Sequence, residues 1–248
     1  MEACLPILLF KKVDTLILRA MKSYVQLDKA SLPDGNLLAL YYEEGDYVLE
    51  YNGLELMSTN LTYSEQMLAD LGCANLLDGA PNRPEYPRVL IGGLGMGFTL
   101  KRVLELVGSP ATVDVAELMS QVIEWNRTYL VEHNGPLLDD PRTNVILSDL
   151  FDCLGEGDTY DAILIDIDDT PDEVITEDNV KLYTPSFMTL LRESLNPGGC
   201  LAYWMAIPSP KLEMALKKAG FTLTEHEAKS HEESEEAKHR VYVARLPE

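Results

Sequence analysis

Three acidic residues, Glu117, Asp149 and Asp166, fall at the ends of three successive predicted strands. A glycine-rich turn, Gly92-Gly93-Leu94-Gly95-Met96-Gly97, ends an earlier strand. Glycines there let the backbone approach a ligand closely and adopt positive φ, and the helix that follows offers free N–H groups. A carboxylate about twenty residues past such a turn can accept both hydroxyls of a ribose. One at the next strand end can accept from an adenine amino group, because an ionised carboxyl only accepts. Singly, each acid also suits a helix N-cap, and the turn is not spaced as the GxGxxG of dinucleotide folds. Together and in this order they read as a pocket for an adenosine-containing ligand, with Gly92, Gly93, Gly95, Met96, Gly97, Glu117 and Asp149 lining it.

Asp166 opens a second cluster, Asp166-Ile167-Asp168-Asp169-Thr170-Pro171-Asp172-Glu173. Carboxylates this dense repel one another unless they are solvated or a cation sits among them. An EF-hand is excluded, because Thr170 and Pro171 stand where that loop needs an acid and a glycine. An acidic surface loop, a magnesium site of the catechol-methyltransferase type and an ammonium site remain, and the ammonium site fits best. An amine attacks only when neutral, so a carboxylate must bind it and help remove its proton. Asp166 takes that catalytic role, Asp169 supports it, and Asp168 lies on the substrate side. No metal is expected.

The elements that must position these residues follow from periodicity. Residues 1–78 are β-rich, with Asn52-Gly53 between two strand-like runs as a hairpin turn. A short helix carries Tyr63, Met67 and Leu71 in register, with Gly72 as its C-cap, and residues 78–87 read as a linker. From residue 88 strands and helices alternate. Arg88–Ile91, Thr112–Ala116, Asn144–Leu147, Ala162–Ile165 and Cys200–Met205 are the strands. One helix buries Leu100, Val103, Leu104 and Val107, and another carries Leu118, Val122, Trp125 and Tyr129. Thr184-Pro185 and Ser209-Pro210 open two more helices. Phe221–Thr224 and Val241–Arg245 close the chain around a polar loop, 229–238. Such alternation predicts a parallel sheet covered on both faces, with ligands at the carboxyl ends of its strands. The expected domains are 1–78 and 79–248.

The chain has 248 residues and a formal net charge of −21, which argues against a grip on nucleic acid or anionic lipid. The excess acid is a solvated surface or a site for a cationic substrate. Cys4, Cys73, Cys153 and Cys200 are scattered without metal-ligand spacing and read as thiols of a reducing compartment. Leu5–Phe10, interrupted by Pro6, lacks the flanks of a signal peptide, and no stretch reaches membrane-spanning length. A cytoplasmic protein without nucleic-acid or membrane partners is expected.

Leu90-Ile-Gly-Gly-Leu-Gly-Met-Gly-Phe-Thr-Leu100 resembles I-G-G-G-D-G-G-T-L, the glycine segment of the polyamine aminopropyltransferases, the spermidine synthase family. Val115–Glu124 is similar to that family's V-E-I-D-P-x-V-V-E, and Asp139-Asp-Pro-Arg142 and Ser148-Asp149 resemble its D-D-P-R and G-D. Tyr160–Asp169 resembles Y-D-x-I-x-x-D-S-S-D, and Tyr63-Ser-Glu-Gln-Met67 resembles Y-H-E-M-M. The resemblance implies a small N-terminal β-domain before a class I methyltransferase-like (Rossmann-like), mostly parallel seven-stranded sheet, usually as a homodimer. It implies Glu117 on ribose, Asp149 on adenine, Asp166 as the acid that activates a small-molecule amine, and Tyr63 and Ser64 near that substrate. Met96 stands where the family has the aspartate that binds the amino group of decarboxylated S-adenosylmethionine. Ser64 replaces a larger polar side chain. Three readings follow: aminopropyl transfer from decarboxylated S-adenosylmethionine, methyl or other transfer from S-adenosylmethionine, and nucleoside binding without catalysis. A nicotinamide dehydrogenase is the least suited, because its glycine spacing is absent.

Overall fold

A computed structural model describes residues 24–32, 35–167, 177–234 and 236–247, with backbone alone for 177–179. Leu5–Phe10, Cys4, Asp168 and Asp169 lie outside the described residues. Backbone packing divides the chain between Leu61 and Thr62.

The first unit is a four-stranded antiparallel sheet in chain order: β1 (Val25–Ser31), β2 (Leu37–Glu43), β3 (Asp46–Tyr51) and β4 (Leu54–Ser58). Asn52 and Gly53 turn β3 into β4 with φ of 53° and 77°, as an Asn-Gly hairpin requires. The Asn52 side-chain oxygen accepts from the Leu37 N–H at 2.9 Å, and the Asn52 N–H donates to the Leu37 carbonyl at 2.8 Å. The turn is thereby clamped to the start of β2.

The second unit begins with α1 (Tyr63–Gly72) and continues β5 (Arg88–Gly92), α2 (Phe98–Val107), β6 (Thr112–Glu117), α3 (Ser120–Thr128), α4 (Val131–Asn134), β7 (Thr143–Leu147) and α5 (Leu150–Gly155). There follow β8 (Tyr160–Ile165), a 3-10 turn (Glu177–Tyr183), α6 (Pro185–Glu193), β9 (Leu195–Met205), α7 (Pro210–Lys218), β10 (Thr222–Ala228) and β11 (His239–Arg245). The sheet order is β10-β11-β9-β8-β5-β6-β7. Neighbours from β9 to β7 are parallel, and β11 runs antiparallel to both β9 and β10. The chain winds β5, β6, β7 to one side, then returns to place β8 on the other side of β5. Strand order thus reverses beside β5, where open α/β sheets form their ligand crevice.

Side-chain alternation assigns the two faces. Ile163, Ile165, Leu201 and Tyr203 share a core with Phe187 and Leu191 of α6 and Leu212 and Leu216 of α7. On the other face α1 lies against Leu164 and Ala202, so close that a Cβ on Gly72 would stand 3.0 Å from Leu164 Cγ. Gly72 therefore serves close helix–sheet approach, and Cys73 occupies the C-cap position. The buried residues of α1 are Ser64, Glu65, Leu68, Ala69 and Gly72, not the expected Tyr63-Met67-Leu71 stripe. Leu118 precedes α3 and is half exposed, which corrects its expected helical position.

The expected boundary near residue 78 falls inside the second unit. Segment 78–87 is pinned there, because the Arg83 guanidinium donates to the carbonyls of Leu76 at 2.8 Å and Val107 at 2.8 Å. The Asp-Pro-Arg motif also holds structure together. Arg142 chelates Asp140 and donates to the carbonyls of Leu104 and Gly108 at the end of α2, satisfying acceptors that a helix terminus leaves open.

Candidate active site

The glycine turn is fixed by its neighbours. Gly93 has φ +93°, and a Cβ there would lie 2.2 Å from the Asp166 carbonyl oxygen, so only glycine fits. Its N–H donates to the Ala116 carbonyl at 2.9 Å, while the Asp166 N–H donates to the Gly92 carbonyl at 2.9 Å. The carboxyl ends of β5, β6 and β8 are thus tied together around the turn. Gly97, at φ +86°, is the N-cap of α2. Two buried amides hold the turn from outside: Asn126 donates to the Gly95 carbonyl at 2.8 Å and Asn134 to the Met96 carbonyl at 2.6 Å. The Met96 side chain is enclosed in the core.

Glu117 ends β6 with its carboxylate buried beneath the turn. One oxygen accepts from Leu94 N–H at 2.9 Å, the other from Met119 N–H at 2.8 Å. Burial pushes this carboxyl above its ordinary value, and the N–H groups of Met119, Leu94, Gly95 and Leu118 oppose that rise. Asp149 follows β7 and caps α5, accepting from Phe151 N–H at 2.8 Å. Its second oxygen pairs with Lys181 Nζ at 2.7 Å.

Asp166 follows β8. The Thr99 hydroxyl, in the first turn of α2, donates to its Oδ2 at 2.8 Å. The residue keeps some exposed surface, but its carboxyl is enclosed, and burial pushes it from 3.8 to about 6. A further carboxyl acts on the same region. Glu65, buried in the first turn of α1, accepts from the Ser64 hydroxyl at 2.6 Å. Burial first, then the charge of Asp166, raises it from 4.5 to about 7. No lysine, arginine or histidine among the described residues pairs with either acid. Two like charges without a counterion favour a shared proton, so at least one of the pair stays protonated up to near neutral pH.

Gly92, Gly93, Gly95, Gly97, Glu117, Asp149 and Asp166 therefore gather at the carboxyl end of the sheet, beside the switch point. Tyr63 is exposed at the start of α1, and its N–H donates to the Ser230 carbonyl at 3.3 Å. Ser64 is buried and turned toward Glu65. Among the described residues no three His, Cys, Asp or Glu side chains are grouped to hold a metal ion, and no helix is long and apolar enough to cross a membrane.

Sequence reasoning passed over Glu65, Thr99, Asn126, Asn134 and Lys181. Glu65 has a local disguise. Thr62-x-x-Glu65 has the spacing of a capping box, yet Thr62 makes no side-chain cap bond, and its hydroxyl instead accepts from Gln66 Nε2 at 3.0 Å. Asn126 shares the buried side of α3 with Val122 and Trp125, and a lone amide on an apolar stripe was its one visible signal.

Residues 65–219 match the sequence profile described as the spermine/spermidine synthase domain. The chain is 35% identical over 155 residues to a polyamine aminopropyltransferase of Saccharolobus islandicus, covering 61% of this chain and 49% of that relative. It is 33% identical over 120 residues to one of Pyrobaculum calidifontis, covering 47% of this chain and 40% of that relative. The matched stretch thus spans about half the length, or less, of these curated relatives. Among solved structures, spermidine synthase from Thermotoga maritima superposes with a TM-score of 0.66 at 18% identity, over 88% of this chain and 72% of that one. Human methyltransferase-like protein 13 in complex with SAH gives 0.54 at 16% identity, over 75% of this chain and 80% of that one. At these identities the structural likeness is one of fold.

Proposed function

The chain belongs to the spermine/spermidine synthase family, and from that premise we propose that it is a transferase. It moves the aminopropyl group of a sulfonium nucleoside, decarboxylated S-adenosylmethionine, to a small amine. The observation that carries this reading is the enclosed Asp166 carboxyl, beside Glu65 and with no cationic partner among the described residues, at the same carboxyl end of the sheet as Glu117 and Asp149.

The chemistry needs little beyond position and one proton acceptor. Glu117 accepts the ribose hydroxyls, and Asp149 the adenine amino group. The amine arrives as an ammonium, a cation that the acid pair lacks. Asp166 takes one proton, and the freed nitrogen lone pair attacks the carbon beside sulfur. The C–N bond forms as the C–S bond breaks, and its electron pair stays on sulfur as a neutral thioether. The proton leaves from Asp166 to solvent. Asp168 and Asp169 belong to this reading as substrate-side acids, and Tyr63 and Ser64 as residues of the amine side. Self-association through an outer strand of the small sheet, β1 or β4 among the described residues, also belongs to it and is tested by sedimentation velocity.

Met96 favours a second reading. Its enclosed thioether leaves no carboxylate at that position to bind an amino group or to repel the carboxylate of S-adenosylmethionine. Methyl transfer on the same scaffold would use the same nucleoside contacts. Calorimetric titration with S-adenosylmethionine, its decarboxylated form and methylthioadenosine separates the two. Preference for the decarboxylated form, followed by turnover in an amine screen, is expected. Preference for S-adenosylmethionine moves the assignment to methyl transfer, and binding of none removes the nucleoside pocket.

A further inference from the structure

Lys181 lies in the turn Glu177–Tyr183, just before the buried pair Leu182 and Tyr183, which anchors its backbone. Its ammonium stands 2.7 Å from Asp149 Oδ2 and 5.8 Å from the centre of the Phe151 ring. Phe151 is itself stacked on Phe187 at 5.9 Å. A cation is therefore held beside the one strand-end carboxylate that faces the base in the nucleoside reading. Both side chains keep contact with solvent, 36% exposed for Lys181 and 18% for Asp149. A pair of this kind is worth about 0–1 kcal/mol by itself. Covering it with a ligand removes water from the ammonium and costs affinity, unless the ligand brings an acceptor of its own.

We propose that Lys181 is a specificity-determining residue of the nucleoside pocket, and that its ammonium and the Asp149 carboxylate together read the donor–acceptor edge of adenine. The inference rests on the nucleoside reading given above. A carboxylate only accepts, so Asp149 alone selects an amino group and is blind to the ring nitrogen next to it. An ammonium only donates, through three protons, and one of them is directed at Asp149. Asp149 Oδ1 accepts from Phe151 N–H and Oδ2 from Lys181, and each oxygen retains a further lone pair. Side by side, 2.7 Å apart, the two groups offer an acceptor next to a donor. Adenine presents the complement, an amino donor next to the N1 acceptor. Hypoxanthine presents the reverse, a carbonyl next to an N–H. The buried Glu117, clamped by Leu94 and Met119, fixes the ribose and keeps the base from sliding into the other register.

The test is calorimetric titration of wild-type protein and Lys181→Met with methylthioadenosine and methylthioinosine. Lys181 is part-exposed, so the substitution leaves the core untouched, and a thermal melt checks that it does. Wild type is expected to favour the adenosine form by at least about tenfold. Lys181→Met is expected to bind that form about tenfold more weakly, with little change for the inosine form, so that the preference collapses. Unchanged affinities in Lys181→Met would make the lysine a spectator and overturn the proposal. Tighter binding of the adenosine form would overturn it as well, by showing that Lys181 blocks the base. If wild type binds neither nucleoside, the pocket reading fails first and this assignment falls with it. Nucleoside binding without base preference leaves the pocket standing and overturns this assignment alone.

Discussion

Glu117 and Asp149 accept from backbone N–H groups and, for Asp149, from a lysine. On the other flank of β5, Glu65 and Asp166 accept from one side-chain hydroxyl each; burial raises the proton affinity of both, and the charge of Asp166 raises that of Glu65 further. The first pair is complete: backbone N–H groups anchor each carboxylate, and in the proposed reading the remaining lone pairs serve the ligand at little cost in reorganisation. The second pair is incomplete: an enclosed acid pair with no cationic partner among the described residues is held at the expense of stability, and a bound ammonium or a proton relieves it. Rigid satisfied carboxylates suit recognition of a neutral sugar and base. Unsatisfied ones with raised proton affinity suit a group that must take a proton and release it.

The largest effect that separates the two halves is expected from Asp166→Asn. In amine transfer it should lower kcat by about 10²–10⁴-fold, the usual worth of a positioned general base. Nucleoside affinity should stay within about twofold, because the substitution is isosteric and remote from the Glu117 side. Steady-state kinetics with calorimetry checks both numbers. A loss confined to nucleoside affinity would erase the distinction between the halves. Next in size is Gly93→Ala, which forces a Cβ into the Asp166 carbonyl at a positive φ. It should cost at least about 2 kcal/mol of stability and weaken the nucleoside, as urea unfolding and titration would show. Full tolerance would mean that the recognition side is not rigid.

The pH dependence of stability sharpens the other half. Glu65 and Asp166 bind protons more tightly in the folded chain than in the unfolded one, so stability falls as pH rises through the interval from about 4 to about 7. Below that interval both states are protonated and the effect is absent; above it the loss is complete. Glu65→Gln removes the like charge and should flatten the slope, leaving the protein about 2–3 kcal/mol more stable than wild type at pH 8. Urea unfolding at pH 5 and pH 8 measures it. Parallel slopes in the two proteins would show that burial and Asp166 do not raise Glu65 and that it takes up no extra proton on folding in this interval.

The complete half was legible in the sequence and the incomplete half only in part, for a physical reason. Glu117 and Asp149 sit at strand ends, where apolar runs stop and an acid stands out. The sheet itself is legible for the same reason: Val89, Leu90, Ile91, Ala162, Ile163 and Leu164 are fully buried and leave no alternation to misread. On α1 the buried stripe contains Ser64 and Glu65, so a search for apolar periodicity selects Tyr63, Met67 and Leu71 instead. A buried carboxyl on a helix has no signature in one chain, because its partner, Asp166, is about a hundred residues away in sequence and only packing brings them together. Lys181 was hidden in the same way, since nothing local relates it to Asp149. The boundary near residue 78 looked plausible because prolines and glycines mark breaks in regular structure, and Arg83 fastens that break to α2 without any local pattern.

The smallest effect probes the hydroxyl that holds the acid pair. The Ser64 O–H donates to the Glu65 carboxyl at 2.6 Å and favours its charged form, against burial and against Asp166. Ser64→Ala removes that donor and leaves the volume nearly unchanged. The Glu65 titration should move upward by about one unit, equivalent to about 1.4 kcal/mol. Stability should fall slightly further at pH 8 and stay unchanged at pH 4, where the carboxyl is neutral in both proteins. Carbon-detected NMR titration of labelled glutamate side chains reads the midpoint directly and needs no substrate. An unchanged midpoint would mean that Ser64 only fills space beneath α1. A downward shift would mean that the hydroxyl serves the protonated form, and Glu65 would then be a neutral packing group while Asp166 carried the charge of this half alone.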